Sequence, residues 1–357
     1  ICEYIPDFVE ATPDVIAGVI EKNIKDEASE FWCLFENLDS SFFGRTYYTS
    51  ILWALEKLMW LEQYCIRAVY SLVKIAEKKF NYKMKNSPID SLYKFFCLWN
   101  PQGSLSLEDR ILLLSKIIKE YYFTGRNLID ILFPSGLGIV DNLLEFEWRY
   151  IEKKKIEVTT KDYYNSIKII AEHFVKTLTV CYDDWKLIIK YFPIFDKAFE
   201  TLKVDKNDLV LSIPDDDKLK LCKDLICKIS RHKKFANEDW SLPENTLNKL
   251  EQLYDILLPN SPLKYVAFYS HDFYGMNPCV FDKENYDYEK EKNELQKERV
   301  ETLEKIIDEF GLNSLYQIVP QVSDIDLLVN SLTCSKYVDN ITIDFIKTAH
   351  NKIPRFA

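Results

Sequence analysis

The chain has 357 residues, 47 % of them hydrophobic and 29 % charged, with a formal net charge of -10; this balance belongs to ordered chains and excludes intrinsic disorder. Only 8 Gly are present and neither GxGxxG nor GxxxxGK(S/T) occurs, which argues against Rossmann and P-loop architectures, whose phosphate turns need glycine. The acidic balance argues against a general nucleic-acid binder, because phosphate contacts need clustered Lys and Arg; the runs Lys153-Lys154-Lys155 and Arg231-His232-Lys233-Lys234 sit among acids and read as solvated faces.

The odd number of cysteines, 9, lies scattered through apolar contexts such as Cys33, Cys65, Cys97 and Cys181. That is no disulfide framework, and it suits a reducing cytoplasm. The chain starts at Ile1 without a basic and apolar leader. The missing initiator Met points to a fragment of something longer. The longest uncharged run, Phe310 to Ser323, is broken by Asn313 and Pro320. It is shorter than the roughly 20 apolar residues of a spanning helix, so no membrane contact is expected.

Helical signals run from end to end. Thr12-Pro13 reads as N-cap and first-turn proline of PDVIAGVIEKN. The stretch YYTSILWALEKLMWLEQYCIRAVYSLVKIAEKKF, Tyr47 to Phe80, carries no Gly, Pro, Asp or Asn and predicts two helices with a bend near Gln63-Tyr64. Leu52, Leu55, Met59, Ile66, Val69, Val73 and Ala76 form their shared seam, while Trp53 and Trp60 wedge the pair against a neighbour. Glu56, Lys57, Glu62 and Arg67 exclude membrane insertion. Ser106 caps EDRILLLSKIIKEYY, and Thr160 caps KDYYNSIKIIAEHFVKTLTV. Pro214, followed by three Asp, opens KLKLCKDLICKISRHKK, with acids at its start and bases at its end to complement the macrodipole. Pro243 opens ENTLNKLEQLYDILL. Lys155–Thr159 and Leu209–Ile213 read as extended linker in preference to hairpin strands.

The longest candidate runs from Tyr286 to Phe310 and stops at Gly311. Leu303, Ile306, Ile307 and Phe310 share a face, but EKEKNELQKER has Leu295 as its one aliphatic residue. That first half is expected to project along a surface. Short polar links favour antiparallel neighbours, giving roughly fourteen helices. Cys33, Cys65 and Cys97 are equally spaced by 32 residues, which hints at a helix-pair period. The expected fold is all-α, an irregular α-solenoid of antiparallel helix pairs (TPR/HEAT-like) with few or no strands. Its segments are 1–135, 136–260 and 261–357, the last with an aromatic loop at 270–288, in one continuous superhelix.

Signals for chemistry are weak. Cys222, Cys227 and His232 step by five along one helix and cannot converge on one ion. His173 reads as a boundary histidine. No GxSxG elbow or cationic Cys turn occurs, and Asp183-Asp184, Asp324 and Asp326 sit where helices begin, as caps. No catalytic, metal or cofactor residue is assigned. The loop SHDFYGMNPCVFDKENYDY, Ser270 to Tyr288, places large side chains on irregular backbone. Two roles fit it: covering an edge of the core, or meeting a partner through His271, Phe273, Tyr274, Met276 and Phe281.

The run YTSILWALEKLMWLEQYCIRAVYSLVKIAE, then SPIDSLYKFFCLWNPQGSLSLEDRILLLSKIIKEY and GRNLIDILFP, resembles a helical module of very large bacterial proteins. RHKKFANEDWSLPENTLNKLEQLYDILLPNSPLKYVAFYS resembles a later segment of the same proteins, and the likeness spans about Pro6 to Leu332. Those proteins are similar to prokaryotic antiphage defence sensors of the STAND/NACHT NTPase or sirtuin-effector kind. The resemblance implies a helical-repeat sensor region that recognises a protein partner of viral origin. Effector or nucleotide chemistry, and oligomerisation, would then belong to the parent protein. A helical scaffold unrelated to defence, and a helical enzyme with a site assembled from distant polar residues, are the alternatives.

Overall fold

The structure, a computed structural model, describes residues 2–36, 47–80, 86–134, 140–153 and 156–340. Every regular element among them is helical, and the described residues contain no strand. The protein is therefore all-α. Leu209–Leu211, expected as extended linker, closes the short helix Lys206–Leu211, which Asp205 caps by accepting from Asn207 N. Residues 156–159 have no regular structure. The chain divides into two compact units, Ile1–Leu178 with Ile194–Lys203, and Thr179–Pro193 with Val204–Ala357.

In the first unit the helices Ile5–Ala11 and Pro13–Lys25 pack on each other. They also pack one-to-one on Tyr48–Leu58 and Glu62–Glu77. Pro88–Phe96 and Tyr122–Leu132 extend this array from Glu62–Glu77, and Leu107–Glu120 joins Tyr122–Leu132 to Thr160–Lys176. Leu52, Leu55, Met59, Val69, Val73 and Ala76 of the expected seam are buried, the larger ones each stabilising the unit by about 1.5–3 kcal/mol, whereas Ile66 is 48 % exposed and lies off the seam. The bend falls at Met59–Leu61 and not at Gln63-Tyr64, because the Met59 carbonyl accepts from Ser104 N (3.0 Å) and Ser104 Oγ (3.1 Å). Leu61 is already extended, at ψ 113. A tertiary hydrogen bond ends the helix where the sequence shows no breaker.

Tyr48–Leu58 is buried nearly all round, with Trp53 as its exposed residue. Trp53 is no wedge. Glu56 and Lys57, each 1 % exposed, are inside. Lys57 pairs with Glu10 at 2.5 Å and Glu56 with Lys94 at 3.1 Å, and Ser91 Oγ also donates to Glu56. A buried charge is tolerated only when paired in this way.

Caps follow the sequence with small shifts. Ser106 caps Leu107–Glu120. Thr159, one residue before the expected Thr160, forms a capping box with Asp162 ahead of Thr160–Lys176. Thr12 occupies the N-cap of Pro13–Lys25, but its hydroxyl donates back to the Phe8 carbonyl. Cys33 starts a short helix, Cys65 lies inside one and Cys97 follows one. The three cysteines are not equivalent positions of a repeat.

In the second unit Asp215–Lys234 packs on Tyr182–Lys190, on Glu244–Leu257 and on the 3-10 segment Pro262–Tyr269. The long helix Tyr288–Phe310 packs on that segment and on Ile325–Thr333. Its aliphatic half buries Leu303, Ile306 and Ile307. Its polar half does not simply project along a surface, since Glu291 and Arg299 are buried within it. Nor is Arg231–Lys234 wholly a solvated face. Lys234 is buried against Glu291 at 2.7 Å.

Candidate functional site

Two segments without helix carry the side chains of interest, one in each unit. In the second unit the aromatic loop runs from Ser270 to the long helix. Gly275 turns it at φ 98, and a Cβ there would stand 2.9 Å from Glu298 Oε2. The next residue, Met276, donates its N–H to Glu298 Oε1 at 2.9 Å and accepts from Lys233 Nζ at its carbonyl. Burial holds the Glu298 carboxyl above its ordinary range, against the pull of the Met276 N–H. Phe281 N donates to the Lys234 carbonyl at 2.7 Å. The loop is pinned at both ends.

Its rings turn inward. Phe273 is 1 % exposed, and its ring lies tilted against that of Phe268 with centroids 4.4 Å apart. Tyr274, Phe281 and Tyr286 gather with Phe235. The Lys234 ammonium sits 4.6 Å from the Tyr274 ring and 5.5 Å from each of Phe235 and Tyr286. This is a cation–π cage, and the chain's own lysine fills it. Of the five candidate contacts, His271, Phe273 and Tyr274 line one cavity, while Met276 and Phe281 are not in its lining. Of the five only Phe273 is buried and has no surface to offer a partner; Tyr274, Met276 and Phe281 are half-buried and His271 is exposed.

The chemistry of this region is subdued. His271 Nε2 lies 2.5 Å from Asp324 Oδ2, and Cys334 lines the same cavity. Asp324 caps the start of Ile325–Thr333 and Cys334 its end, so a helix rise of about 15 Å separates the imidazole's partner from the thiol. The Cys279 thiol donates to Glu294, which holds its pKa up. His232 is pushed down to about 4 by burial and by nearby Lys228 and Arg231, and its Nδ1 accepts from Leu242 N at 3.1 Å. No cluster of His, Cys, Asp and Glu among the described residues could hold a metal ion.

The first unit holds a segment that the sequence did not single out. Residues 140–153 form a strap without helix, and buried side chains hold its main chain. Leu143 N donates to Gln102 Oε1 (2.7 Å) and Leu144 N to Glu56 Oε2 (2.9 Å). The Leu144 carbonyl accepts from Trp60 Nε1 at 3.1 Å. Three successive N–H groups, of Glu147, Trp148 and Arg149, then converge on the Glu10 carboxylate at 2.9, 2.7 and 3.3 Å. Consecutive main-chain donors on one anion form a nest. Burial raises the Glu10 pKa, but Lys57 and the N–H groups of Glu147 and Trp148 outweigh it and leave it below the ordinary carboxylate value.

With its main chain held at these points and Leu143 plugged into the core, the strap leaves Trp148 and Tyr150 in water while Phe146 is half-buried. Trp148 is 71 % and Tyr150 91 % exposed. They border a hollow of about 800 Å³ walled by Trp60 and residues 145–153, where Lys153 pairs with Glu145 and lies over the Trp60 ring. The sequence signal for this site was negative: Glu145-Phe146-Glu147-Trp148-Arg149-Tyr150 alternates rings with charges in a long stretch that lacks helical periodicity.

The chain matches no family model, no characterised protein and no solved structure. No helix among the described residues is long and apolar enough to cross a membrane.

Proposed function

We propose that this chain is a non-catalytic α-helical module that recognises a protein partner, and that the strap at 140–153 carries the contact. The observation behind this is the exposure of Trp148 and Tyr150 on a main chain that Glu10 and Glu56 hold in place. Trp and Tyr are the residue types that dominate binding energy at protein interfaces. Fixing their backbone in advance reduces the ordering cost of association. The packing of Ile5–Ala11 on Tyr48–Leu58 and of Pro13–Lys25 on Glu62–Glu77 supports an irregular, TPR/HEAT-like α-solenoid, a form that presents extended surfaces to proteins. The resemblance to antiphage sensors supports a viral protein as the partner, met in the bacterial cytoplasm, with effector chemistry elsewhere in a larger protein.

The test is capture from a broad panel of co-expressed phage proteins, followed by affinity measurement on the protein captured. Trp148→Ala with Tyr150→Ala is expected to weaken binding by about 100-fold or more, since hot-spot truncations cost about 2 kcal/mol or more each, with an unchanged melting midpoint. Full affinity in the double variant removes the strap from the contact. No capture across the panel removes the viral partner.

A further inference from the structure

The polar half of the long helix is unusual in having only Leu295 as an aliphatic residue, yet one of its faces lies along a cavity of about 620 Å³ in the second unit. Tyr288, Glu291, Lys292, Leu295, Gln296 and Arg299 recur at steps of three and four and form one wall. Leu327, Asn330 and Thr333 of Ile325–Thr333 form the facing wall, at steps of three. The volume falls within the range of small-molecule sites, about 300–1,000 Å³.

The charge of the lining is out of keeping with the chain. Lys234, Lys292 and Arg299 face one carboxylate, that of Glu291, whereas the protein as a whole carries -10. Glu291 is already committed to Lys234 at 2.7 Å. Arg299 is 7 % exposed, and its hydrogen bonds go to the main-chain carbonyls of Phe268 (2.9 Å) and Ser270 (3.4 Å). Those carbonyls orient the guanidinium without neutralising it. Lys292 forms no ion pair with any described residue. His271, at the edge, is turned to Asp324, whose carboxylate lies outside the lining. A buried guanidinium is costly unless anions attend it; Asp324 and Glu298 act on Arg299 from beside it, but neither lines the cavity. The amides of Gln296 and Asn330 and the exposed ring of Tyr288 supply hydrogen bonds and a flat surface beside it.

We propose that this groove between the polar half of Tyr288–Phe310 and Ile325–Thr333 binds a small organic anion, a carboxylate or phosphate ester on a flat body. Arg299 and Lys292 meet the charge, Gln296 and Asn330 the polar edge, and Tyr288 the ring. The site lies in the second unit and does not depend on the partner contact of the strap.

Calorimetry and thermal melting of the whole chain with benzoate and with adenosine monophosphate, against benzamide and adenosine as uncharged counterparts, test it. At least one anion is expected to bind saturably, once per chain, and about tenfold or more tighter than its uncharged counterpart. Lys292→Glu and Asn330→Asp, both at exposed positions, are expected to weaken that binding by about tenfold each while leaving the unliganded melting midpoint in place. Saturable binding of neither anion, equal binding of the uncharged counterparts, or unaltered affinity in both variants overturns the proposal.

Discussion

The strap at 140–153 and the aromatic loop at 270–288 share a device and differ in its outcome. Both are irregular segments whose main-chain N–H groups are answered by carboxylates from packed helices: Glu10 and Glu56 for the strap, Glu298 for the loop. In the loop the rings go inward. Phe273 joins the core, Tyr274 and Tyr286 close with Phe235 around Lys234, and Phe281 packs on Phe235 and Tyr286. In the strap Leu143 is the one buried side chain, Phe146 is half-buried, and Trp148 and Tyr150 stay in water. A segment pinned through its backbone need not bury its side chains, so aromatic density by itself does not tell a lid from a contact surface.

The sharpest way to break this contrast is to truncate one ring from each segment. Phe273→Ala is expected to destabilise by about 3–5 kcal/mol, the cost of deleting a buried phenyl ring, whereas Trp148→Ala is expected to change stability by no more than about 0.5 kcal/mol. Urea unfolding of the two variants compares them, and equal losses would mean that the strap's tryptophan packs as the loop's phenylalanine does.

A smaller effect is expected at the carboxylate that fixes the strap. Glu10→Gln keeps the shape but removes the charge that answers Lys57 and three N–H groups, a loss of about 2–3 kcal/mol. Because the folded pKa of Glu10 lies below its ordinary 4.5, its contribution is fully present above that pH. It is lost as the pH falls through the lowered value. Acid titration followed by tryptophan fluorescence should therefore show a strap transition below pH 4.5 that is absent in Glu10→Gln; a transition that persists in the variant assigns it elsewhere.

The smallest of these effects is expected at the loop's turn. Gly275→Ala puts a Cβ at φ 98 and 2.9 Å from Glu298 Oε2. A cost of about 1–2 kcal/mol follows from the backbone strain and the displaced carboxylate. A neutral substitution, read by thermal melting, would show that Glu298 does not fix the loop.

Helix caps and apolar stripes were legible in the sequence because they are local. Ser106, Pro214 and Pro243 open helices where their chemistry places them, and Leu303, Ile306 and Ile307 are buried as their spacing requires. The aromatic loop was legible as a segment, though not in which way its rings face. The strap was not legible as a site, since its hydrogen-bond partner Glu10 lies more than a hundred residues upstream.

By itself, then, the sequence determined an all-helical chain, with its helix starts, its apolar faces and an absence of glycine cradles. These follow from backbone propensity and side-chain spacing within a few residues. Tertiary structure decided where the helix at Met59 ends, why Glu56, Lys57 and Lys234 are inside, and which rings meet water. Each of those depends on a donor, acceptor or counter-charge brought from a distant part of the chain, and the free energy of a buried polar group is set by the partner it finds.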